Sequence, residues 1–375
     1  MKKQISVLTA LLTAAAFAVT GCGAAGDNAA PSASSKAASQ EVSEETKHSE
    51  AETTKAENTG AETGSETVSE EAKEDSGAAA VRVGSLKGPT SMGLAYLMET
   101  AKNGETANTY EFTMAGKADE LVGNIANGSL DIALVPANVA SVLYNKTQGQ
   151  VKVIDINTLG VLYVVASDDS ISTMEDLKGK TVYMTGKGTT PEFAMNYLLA
   201  ENGLGSGDVT MEFKSEAAEV ASILKEDPSA IGVLPQPFAS AACMQNPELK
   251  TVMDLTEQWD LLNKEGNSRM VTGVTIVRTG FLEEHEAAVE QFLKDHAESA
   301  EYTSAEPEKA AQLVADIGIV EKAAMAQKAM PLCNIVCITG EEMKQALSGY
   351  LEVLSGQNAK SIGGTLPGDD FYYLP

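Results

Sequence analysis

The sequence is poor in the residue types on which most enzymes and nucleic-acid-binding proteins depend. It contains three arginines, three histidines, four cysteines and one tryptophan, and its acidic residues outnumber lysine plus arginine by 53 to 27. The formal net charge of −26 provides no cationic surface that could neutralise phosphates, which argues against nucleic acid as a partner. So few cysteines also exclude a stabilising framework of several disulfides.

The sequence motifs of common catalytic and metal sites are missing as well. No H-E-x-x-H, G-x-S-x-G or Walker pattern occurs. His285 and His296 lie eleven residues apart on one predicted helix, too far apart to share a metal ion. A single "CNIVC" segment holds Cys333 and Cys337 without the second ligand pair of a zinc site, so packing is their simpler role, and pairing between them stays open. We therefore predict no catalytic residue, no metal site and no cofactor.

Residues 1–22 have the pattern of a secretory signal. A positive start is followed by "ISVLTALLTAAAFAV", which is short for a membrane span, and by the ending "VTGC". This ending resembles the lipobox of bacterial lipoproteins, in which the cysteine receives a lipid anchor that includes palmitate. A plain signal is the alternative. We predict lipidation at Cys22 and attachment to the extracytoplasmic face of the cell membrane.

Residues 23–80 lack every large hydrophobic residue except valine. They contain 13 acidic residues against four lysines and no Leu, Ile, Met, Phe, Tyr or Trp. Such a segment cannot bury enough apolar surface to offset the entropy of ordering. We predict a disordered acidic tether that separates the anchor from a folded domain.

The remaining residues 81–375 contain one pattern twice. "LKGPTSMGLAYLM" (86–98) aligns with "GKGTTPEFAMNYLL" (186–199) at an offset of 100, and each segment follows a strand-like run and continues with helical periodicity. Downstream, 109–141 aligns with 209–240, and both segments end in a buried strand closed by proline, "DIALVP" and "AIGVLP". The repetition predicts two βαβ units with parallel strands and right-handed crossovers.

Two apolar strands, 159–167 and 270–279, flank the second unit and predict the passages between two lobes. The predicted fold is therefore α/β and two-lobed, each lobe a mostly parallel sheet flanked by helices, joined by two hinge strands. Lobe I comprises 81–166 plus 268–375, and lobe II comprises 167–267. Helix starts are predicted with N-caps at Thr90 and Thr190 and with a capping box from Thr339 to Glu342.

Ligands of open α/β sheets bind beyond the carboxyl ends of the strands, where loops lead into helix N-termini. We therefore expect Thr90, Ser91 and Met92 to face Gly188, Thr189 and Thr190 across an interlobe cleft, although well-capped helices would explain the same residues. The cleft walls are predicted from Pro136-Ala137-Asn138 and Pro235-Gln236-Pro237, which are alternatively chain-turning prolines. Charge could come from Lys87, Lys187 and Arg269, unless these side chains are simply solvated.

Four segments resemble the solute-binding lipoproteins of ABC importers: "VGSLKGPTSMG", "NGSLDIALVP", "ISTMEDLKGKTVYMTGKGTTPEF" and "MPLCNIVCITGEEMKQALSGYL". The similarity covers essentially all of 81–375 and is to the branch for nitrate, sulfonate, taurine and thiamine-precursor ligands, which has the type II periplasmic-binding-protein fold. This resemblance implies ligand contacts at Lys87, Gly88, Pro89, Thr90, Ser91, Met92, Ala137, Asn138, Gly188, Thr189 and Thr190. The sequence departs from the family at Pro235-Gln236-Pro237, where many relatives carry an acidic residue before proline, so the ligand class stays open.

We predict a monomeric, lipid-anchored receptor that captures a small polar or anionic organic solute and delivers it to an ABC permease and its ATPase. A sulfonate, a nitrate-like anion and a thiamine-type pyrimidine are the ligands considered. The first alternative is a ligand-gated surface sensor or adhesion lipoprotein without transport. The second is an enzyme that uses Thr190 as a nucleophile with Lys187 as its base. A stacking surface for a planar ligand, built by Trp259 with other aromatic residues, is weighed against a role in the core.

Overall fold

The computed structural model describes residues 79–375. The predicted signal, Cys22 and the acidic segment up to residue 78 lie outside the described residues. The predicted end of the tether at residue 80 is wrong, because the first strand begins at Ala80 and the Ala79 carbonyl accepts a hydrogen bond from the Thr109 amide. None of the helices in this described part is both long enough and apolar enough to cross a bilayer.

Residues 79–375 form eleven strands and thirteen α-helices. The strands are β1 (Ala80–Leu86), β2 (Thr109–Ala115), β3 (Ile132–Pro136), β4 (Val151–Leu159), β5 (Leu162–Ala166), β6 (Thr181–Met184), β7 (Thr210–Phe213), β8 (Ile231–Pro235), β9 (Lys250–Asp254), β10 (Val271–Arg278) and β11 (Ile335–Ile338). The helices are α1 (Pro89–Met92), α2 (Ala95–Lys102), α3 (Ala118–Ala126), α4 (Ala137–Thr147), α5 (Thr190–Glu201), α6 (Ala217–Glu226), α7 (Phe238–Gln245), α8 (Leu255–Leu262), α9 (Thr279–Glu284), α10 (Glu286–Ala305), α11 (Pro307–Asp316), α12 (Ala323–Ala329) and α13 (Gly340–Asn358).

The strands form two sheets, which confirms the predicted two-lobed α/β fold. The first sheet has the order β11-β4-β10-β3-β1-β2, and the second has the order β7-β6-β8-β5-β9. In each sheet one strand pairs in parallel with two others, β1 with β2 and β3, and β6 with β7 and β8. The sheets are mixed rather than mostly parallel, because β10 runs antiparallel to β3 and β4, and β5 runs antiparallel to β8 and β9.

Helices cover both faces of each sheet. In β4, Val153 belongs to a buried cluster with Leu351 of α13, whereas the next residue, Ile154, packs in a cluster with Phe292 of α10. Successive residues of a strand point to opposite faces, so each sheet buries both of its sides. This burial explains why the strands read as continuous hydrophobic runs in the sequence.

The first crossing between the sheets corrects the predicted boundary after residue 166. Residues 162–166 form β5, which lies in the second sheet between β8 and β9, so the chain changes sheets at Gly160 and Val161. A Cβ atom at Gly160 would fall on the Thr256 hydroxyl and lie 3.0 Å from the Met270 sulfur. The backbone at Gly160 therefore packs closely against Thr256 and against Met270, which lies in the segment that returns to the first sheet at β10.

The helix starts also differ from the predictions. Gly88, not Thr90, is the N-cap of α1, which is a single turn that ends before α2 begins. Thr189, not Thr190, is the N-cap of α5. The predicted capping box at Thr339 is wrong, because Thr339 is the N-cap of α13 but its side chain makes no capping hydrogen bond.

The single tryptophan belongs to the core. Trp259 is fully buried, its ring packs on those of Tyr197 and Tyr350, and its indole N–H donates to the Ser268 hydroxyl at 3.2 Å. The aromatic residues considered as its partners are distributed differently: Tyr96 stacks on Tyr302, Phe193 is buried, Tyr183 lies under the Lys214 ammonium and Phe238 is exposed. Of the two roles considered for Trp259, the structure therefore supports packing in the core and not stacking on a ligand.

Candidate functional site

A cavity of about 220 Å³ takes its walls from both sheets and from both crossings. Its lining residues are Pro136, Asn138, Val161, Leu162, Thr190, Pro191, Pro235, Met270, Val271, Thr272 and Tyr350. Pro136 and Pro235 end β3 and β8, so the cavity lies at the carboxyl ends of strands in both sheets. This is the place where open α/β sheets bind ligands.

Two helices begin at the cavity. Helix α4 starts at Ala137, directly after Pro136, and α5 starts at Thr190. The first turn of a helix carries unpaired N–H groups and a partial positive charge, which favours an anion or the negative end of a dipole. The first turn of α4 contains no acidic residue, whereas Glu192 in the first turn of α5 accepts a hydrogen bond from the Gly188 amide. The stronger positive end therefore belongs to α4.

The side chains of the cavity wall are uncharged. Asn138, Thr190 and Thr272 contribute polar groups, and no charged residue lines this cavity in the described part of the chain. Burial raises the pKa of the Tyr350 phenol, so Tyr350 is also neutral at physiological pH. Leu162, Met270 and the tyrosine ring supply apolar surface. The wall can hold a compact solute through neutral hydrogen bonds and apolar contacts.

The predicted residues after β1 do not line the cavity. Thr90 is 6% exposed and donates its hydroxyl to the Leu86 carbonyl at 3.0 Å, and the fully buried Ser91 donates to the same carbonyl at 2.5 Å. Met92 packs in a buried cluster with residues of α11 and α12, such as Val314 and Ala326. The hydroxyls satisfy the end of their own strand because α1 turns back on it immediately.

The neighbours of these three residues differ in exposure. Lys87 is exposed, and its backbone N–H donates to the Ala115 carbonyl at 3.0 Å. Gly88 and Pro89 are half-buried, and Gly88 has a φ of 126°, which an L side chain rarely adopts. None of the three is among the residues that line the cavity.

At the second junction, only the last predicted residue lines the cavity. Lys187, Gly188 and Thr189 are exposed, and Thr189 donates its hydroxyl to the Gly186 carbonyl at 2.6 Å. The Lys187 ammonium lies 5.8 Å from the centre of the Phe213 ring. Thr190 is the junction's contribution to the cavity wall.

Gln236 lies beside the cavity with an unsatisfied side chain. It is 2% exposed, its backbone N–H donates to the Val161 carbonyl at 2.9 Å, and its Oε1 accepts from the Ser240 N–H at 3.3 Å. Its Nε2 has no hydrogen-bond partner among the described residues. A buried amide donor without a partner is costly, but Gln236 itself is not among the residues that line the cavity.

The structure separates the remaining predicted residues. Ala137 is buried at the start of α4, and the Asn138 amide donates to the Ser361 carbonyl at 3.2 Å. Arg269 lines a different cavity of about 500 Å³, together with Thr303 and Asn334, and its guanidinium lies 3.5 Å from the Asp260 carboxylate. The fourteen predicted residues are thus divided among the cavity, the core, the surface and this second cavity.

Several residues that line the cavity are not among those predicted from the sequence. Val161 lies in the first crossing, and Leu162 and Val271 are the first residues of β5 and β10. A sequence signal for them exists, because all three lie in the segments 159–167 and 270–279 that predict the passages between lobes. Tyr350 carried no such signal, since it lies in the middle of α13 and reaches the cavity only through packing.

Comparison with known proteins gives a consistent family signal. Residues 95–253 match the model of a family described as ABC transporter, phosphonate, periplasmic substrate-binding protein. A protein of Brucella abortus (strain 2308), named as a binding protein, is 25% identical over 251 residues, which cover 64% of this chain and 70% of that relative.

Two solved structures share the fold. An ABC transporter protein from Parabacteroides distasonis has a TM-score of 0.65 and 22% identity, with 79% of this chain and 98% of that chain covered. The periplasmic aliphatic sulphonate binding protein from Escherichia coli has a TM-score of 0.61 and 16% identity, with 79% and 92% covered. Similarity at these sequence identities shows that the fold is shared. It does not identify the ligand, which has to be inferred from the residues of the site.

Proposed function

We propose that this chain is an ABC-transporter periplasmic substrate-binding protein, which its family match and its fold support, and that it captures a small polar or anionic organic solute between its two sheets. The observation that supports the site is the cavity of about 220 Å³ whose wall combines residues of both sheets and both crossings. Such a cavity changes shape whenever the two sheets move relative to each other. Binding of a solute there would therefore be coupled to closure.

The composition of the wall supports this class of solute. The N-terminus of α4 favours a negatively charged or electron-rich head group. Leu162, Met270 and Tyr350 favour an organic body beside it. The cavity is smaller than the range of about 300–1,000 Å³ typical of ligand pockets, which indicates a compact solute. Sulfonates, phosphonates, a nitrate-like anion and a thiamine-type pyrimidine are the classes to test.

Transport requires partners beyond this chain. We propose that it delivers its solute to an ABC permease driven by an ATPase, and that a lipid on Cys22 holds it at the extracytoplasmic face of the membrane. We also propose that it binds without turnover. The position of Lys187 supports this, because the side chain is exposed, does not line the cavity and has its ammonium 5.8 Å from the centre of the Phe213 ring.

A thermal-shift screen tests the proposed binding. The full-length protein is heated with taurine, alkanesulfonates, alkylphosphonates, nitrate and an uncharged hydroxymethylpyrimidine. A solute at about 100 times its Kd stabilises the folded state by about 2.7 kcal/mol, which raises the Tm measurably. Mass spectrometry of compounds released from the purified, denatured protein extends the panel to solutes of the producing cell.

The control is Thr272→Phe, which would fill part of the cavity from a half-buried position. This variant should keep the Tm of the unliganded protein and lose the shift. The proposal is contradicted when no panel member shifts the wild type and no compound is released from it. It is also contradicted when a bound solute shifts Thr272→Phe as much as the wild type. Conversion of the bound solute to a product would contradict binding without turnover.

A further inference from the structure

Three potential metal ligands meet in the part of the molecule built around the first sheet, which we call the first half. None of them lines the proposed solute cavity. Asp155 lies on β4, Cys337 on the adjacent strand β11, and His296 on helix α10, which packs against both strands. One donor atom from each residue lies within 4.8 Å of the other two. The His296 Nδ1 is 3.1 Å from the Asp155 Oδ2.

The cluster is buried and incompletely satisfied. Asp155 and His296 have no exposed surface, and the His296 Nε2 has no hydrogen-bond partner among the described residues. Burial of a carboxylate in a protein interior is unfavourable unless a positive charge compensates it.

The Asp155 carboxylate is held by neighbouring side chains. Its Oδ1 accepts a hydrogen bond from the Thr275 hydroxyl at 2.8 Å, and the Asn157 amide donates to the same hydroxyl at 3.2 Å. Partners of this kind orient metal-binding carboxylates and fix which oxygen remains free. Here the other oxygen, Oδ2, is the one directed at His296.

We propose that Asp155, His296 and Cys337 bind one divalent metal ion of the zinc type. An oxygen, a nitrogen and a sulfur ligand suit Zn²⁺, which takes four ligands in a tetrahedral arrangement, with solvent as the fourth. A carboxylate, a thiolate and a neutral imidazole carry two negative charges, so the loaded cluster is electrically neutral. The Cys337 thiol gives up its proton to solvent when the metal–sulfur bond forms.

The metal has a route to the cluster. Cys337 is half-buried and lines a surface cavity of about 290 Å³ together with Glu290, Lys294 and Thr339. This cavity also provides room for the solvent ligand on the side of the thiol. A bound ion would tie β4, β11 and α10 together within the first half.

Titration of the full-length protein with Co²⁺ and Zn²⁺ tests the proposal. Co²⁺ bound to a thiolate has a charge-transfer absorption band that oxygen and nitrogen ligands alone do not produce. We expect this band at one equivalent of Co²⁺ and its loss on addition of Zn²⁺. Cys337→Ser should abolish the band and weaken Zn²⁺ binding by at least about 10-fold. The control Cys243→Ser, a half-buried free cysteine on α7, should leave both unchanged.

Two further measurements do not depend on the folding of Cys337→Ser. Alkylation of wild-type protein, followed by peptide mass mapping, should show that Zn²⁺ slows the reaction of Cys337 but not that of Cys243. Thr275→Val should weaken Zn²⁺ binding by about 10-fold and keep the charge-transfer band, because it removes the hydrogen bonds that the Thr275 hydroxyl makes with Asp155 and Asn157 but none of the three ligand atoms. The proposal is overturned when no stoichiometric band forms, when Cys337→Ser retains it, or when Zn²⁺ leaves the alkylation of Cys337 unchanged.

Discussion

At the scale of single residues, Thr189 and Thr190 show how neighbouring hydroxyls can have different roles. The Thr189 hydroxyl donates to the Gly186 carbonyl in an exposed turn, whereas Thr190 lines the cavity between the two sheets. Thr189 is the N-cap of α5 and Thr190 is its first residue, so the two hydroxyls are neighbours at one helix start. Their surroundings, rather than their identity, decide which one can contact a solute.

Thr190→Val should therefore weaken solute binding, while Thr189→Val should not. The valine keeps the shape of Thr190 but removes the hydroxyl, and a lost hydrogen bond in a desolvated cavity costs about 1 kcal/mol, or roughly 5-fold in Kd. Isothermal titration calorimetry with the solute found in the screen measures the difference. Equal affinities of the two variants would show that Thr190 makes no contact with the solute.

At the scale of secondary-structure elements, Asp131 connects the three inner strands β1, β3 and β10 of the first sheet. It does so at the end of β3 that lies away from the cavity. Its carboxylate accepts from the Arg82 guanidinium of β1 at 2.8 and 2.5 Å and from Arg278 of β10 at 2.8 Å, and Asp131 itself directly precedes β3. Burial raises the pKa of the Asp131 carboxyl, but the hydrogen bonds and charges of the two arginines outweigh burial and lower the pKa below its usual value.

Asp131→Asn should reduce the free energy of unfolding by about 2–3 kcal/mol at pH 7, since hydrogen bonds to charged groups are lost. Because the folded-state pKa is depressed, the stabilisation is complete above the unfolded-state pKa of about 3.9 and is lost as the pH falls through the lower folded-state value. The difference from wild type should shrink over that acidic range in urea unfolding. Asp169→Asn, which breaks only an exposed pair with Lys250, should differ little from wild type at any pH.

At the scale of the whole molecule, the first half is built around the first sheet and the second half around the second sheet. Contacts between these two halves hold the cavity walls in their present arrangement. The Tyr163 hydroxyl of β5 donates to the Leu332 carbonyl at 2.7 Å, and α7 of the second half packs against α12 of the first. Tyr163 is not among the residues that line the cavity. A change at this residue therefore acts on the arrangement of the halves and not directly on the solute.

In the wild type, the hydrogen bond from Tyr163 to Leu332 favours the arrangement of the halves that forms the cavity. Tyr163→Phe removes this bond, worth about 1 kcal/mol, and should therefore weaken solute binding by about 5-fold. Small-angle scattering should show a larger radius of gyration without solute, and calorimetry should report the weaker Kd. The control is Tyr183→Phe, since the Tyr183 ring lies in the second half under the Lys214 ammonium. An unchanged affinity in Tyr163→Phe would show that this contact does not influence the solute site.

The sequence by itself determined the two-sheet α/β fold and the strand ends at which a solute site would form. These features follow from local signals, namely hydrophobic runs, helical periodicity and the proline-terminated strands at Pro136 and Pro235. Asn138 and Thr190 could be named for the same reason, because Asn138 lies two residues after a predicted strand end and Thr190 opens a predicted helix.

Only the tertiary structure decided which of these residues come together. The hydroxyls of Thr90 and Ser91 bond the Leu86 carbonyl instead of facing a cleft, and Tyr350 reaches the cavity from a distant helix. Asp155, His296 and Cys337 meet although they are separated by more than 140 and about 40 residues along the chain. Competition between hydrogen-bond partners and packing between remote elements depend on the whole fold, so no local pattern in the sequence reports them.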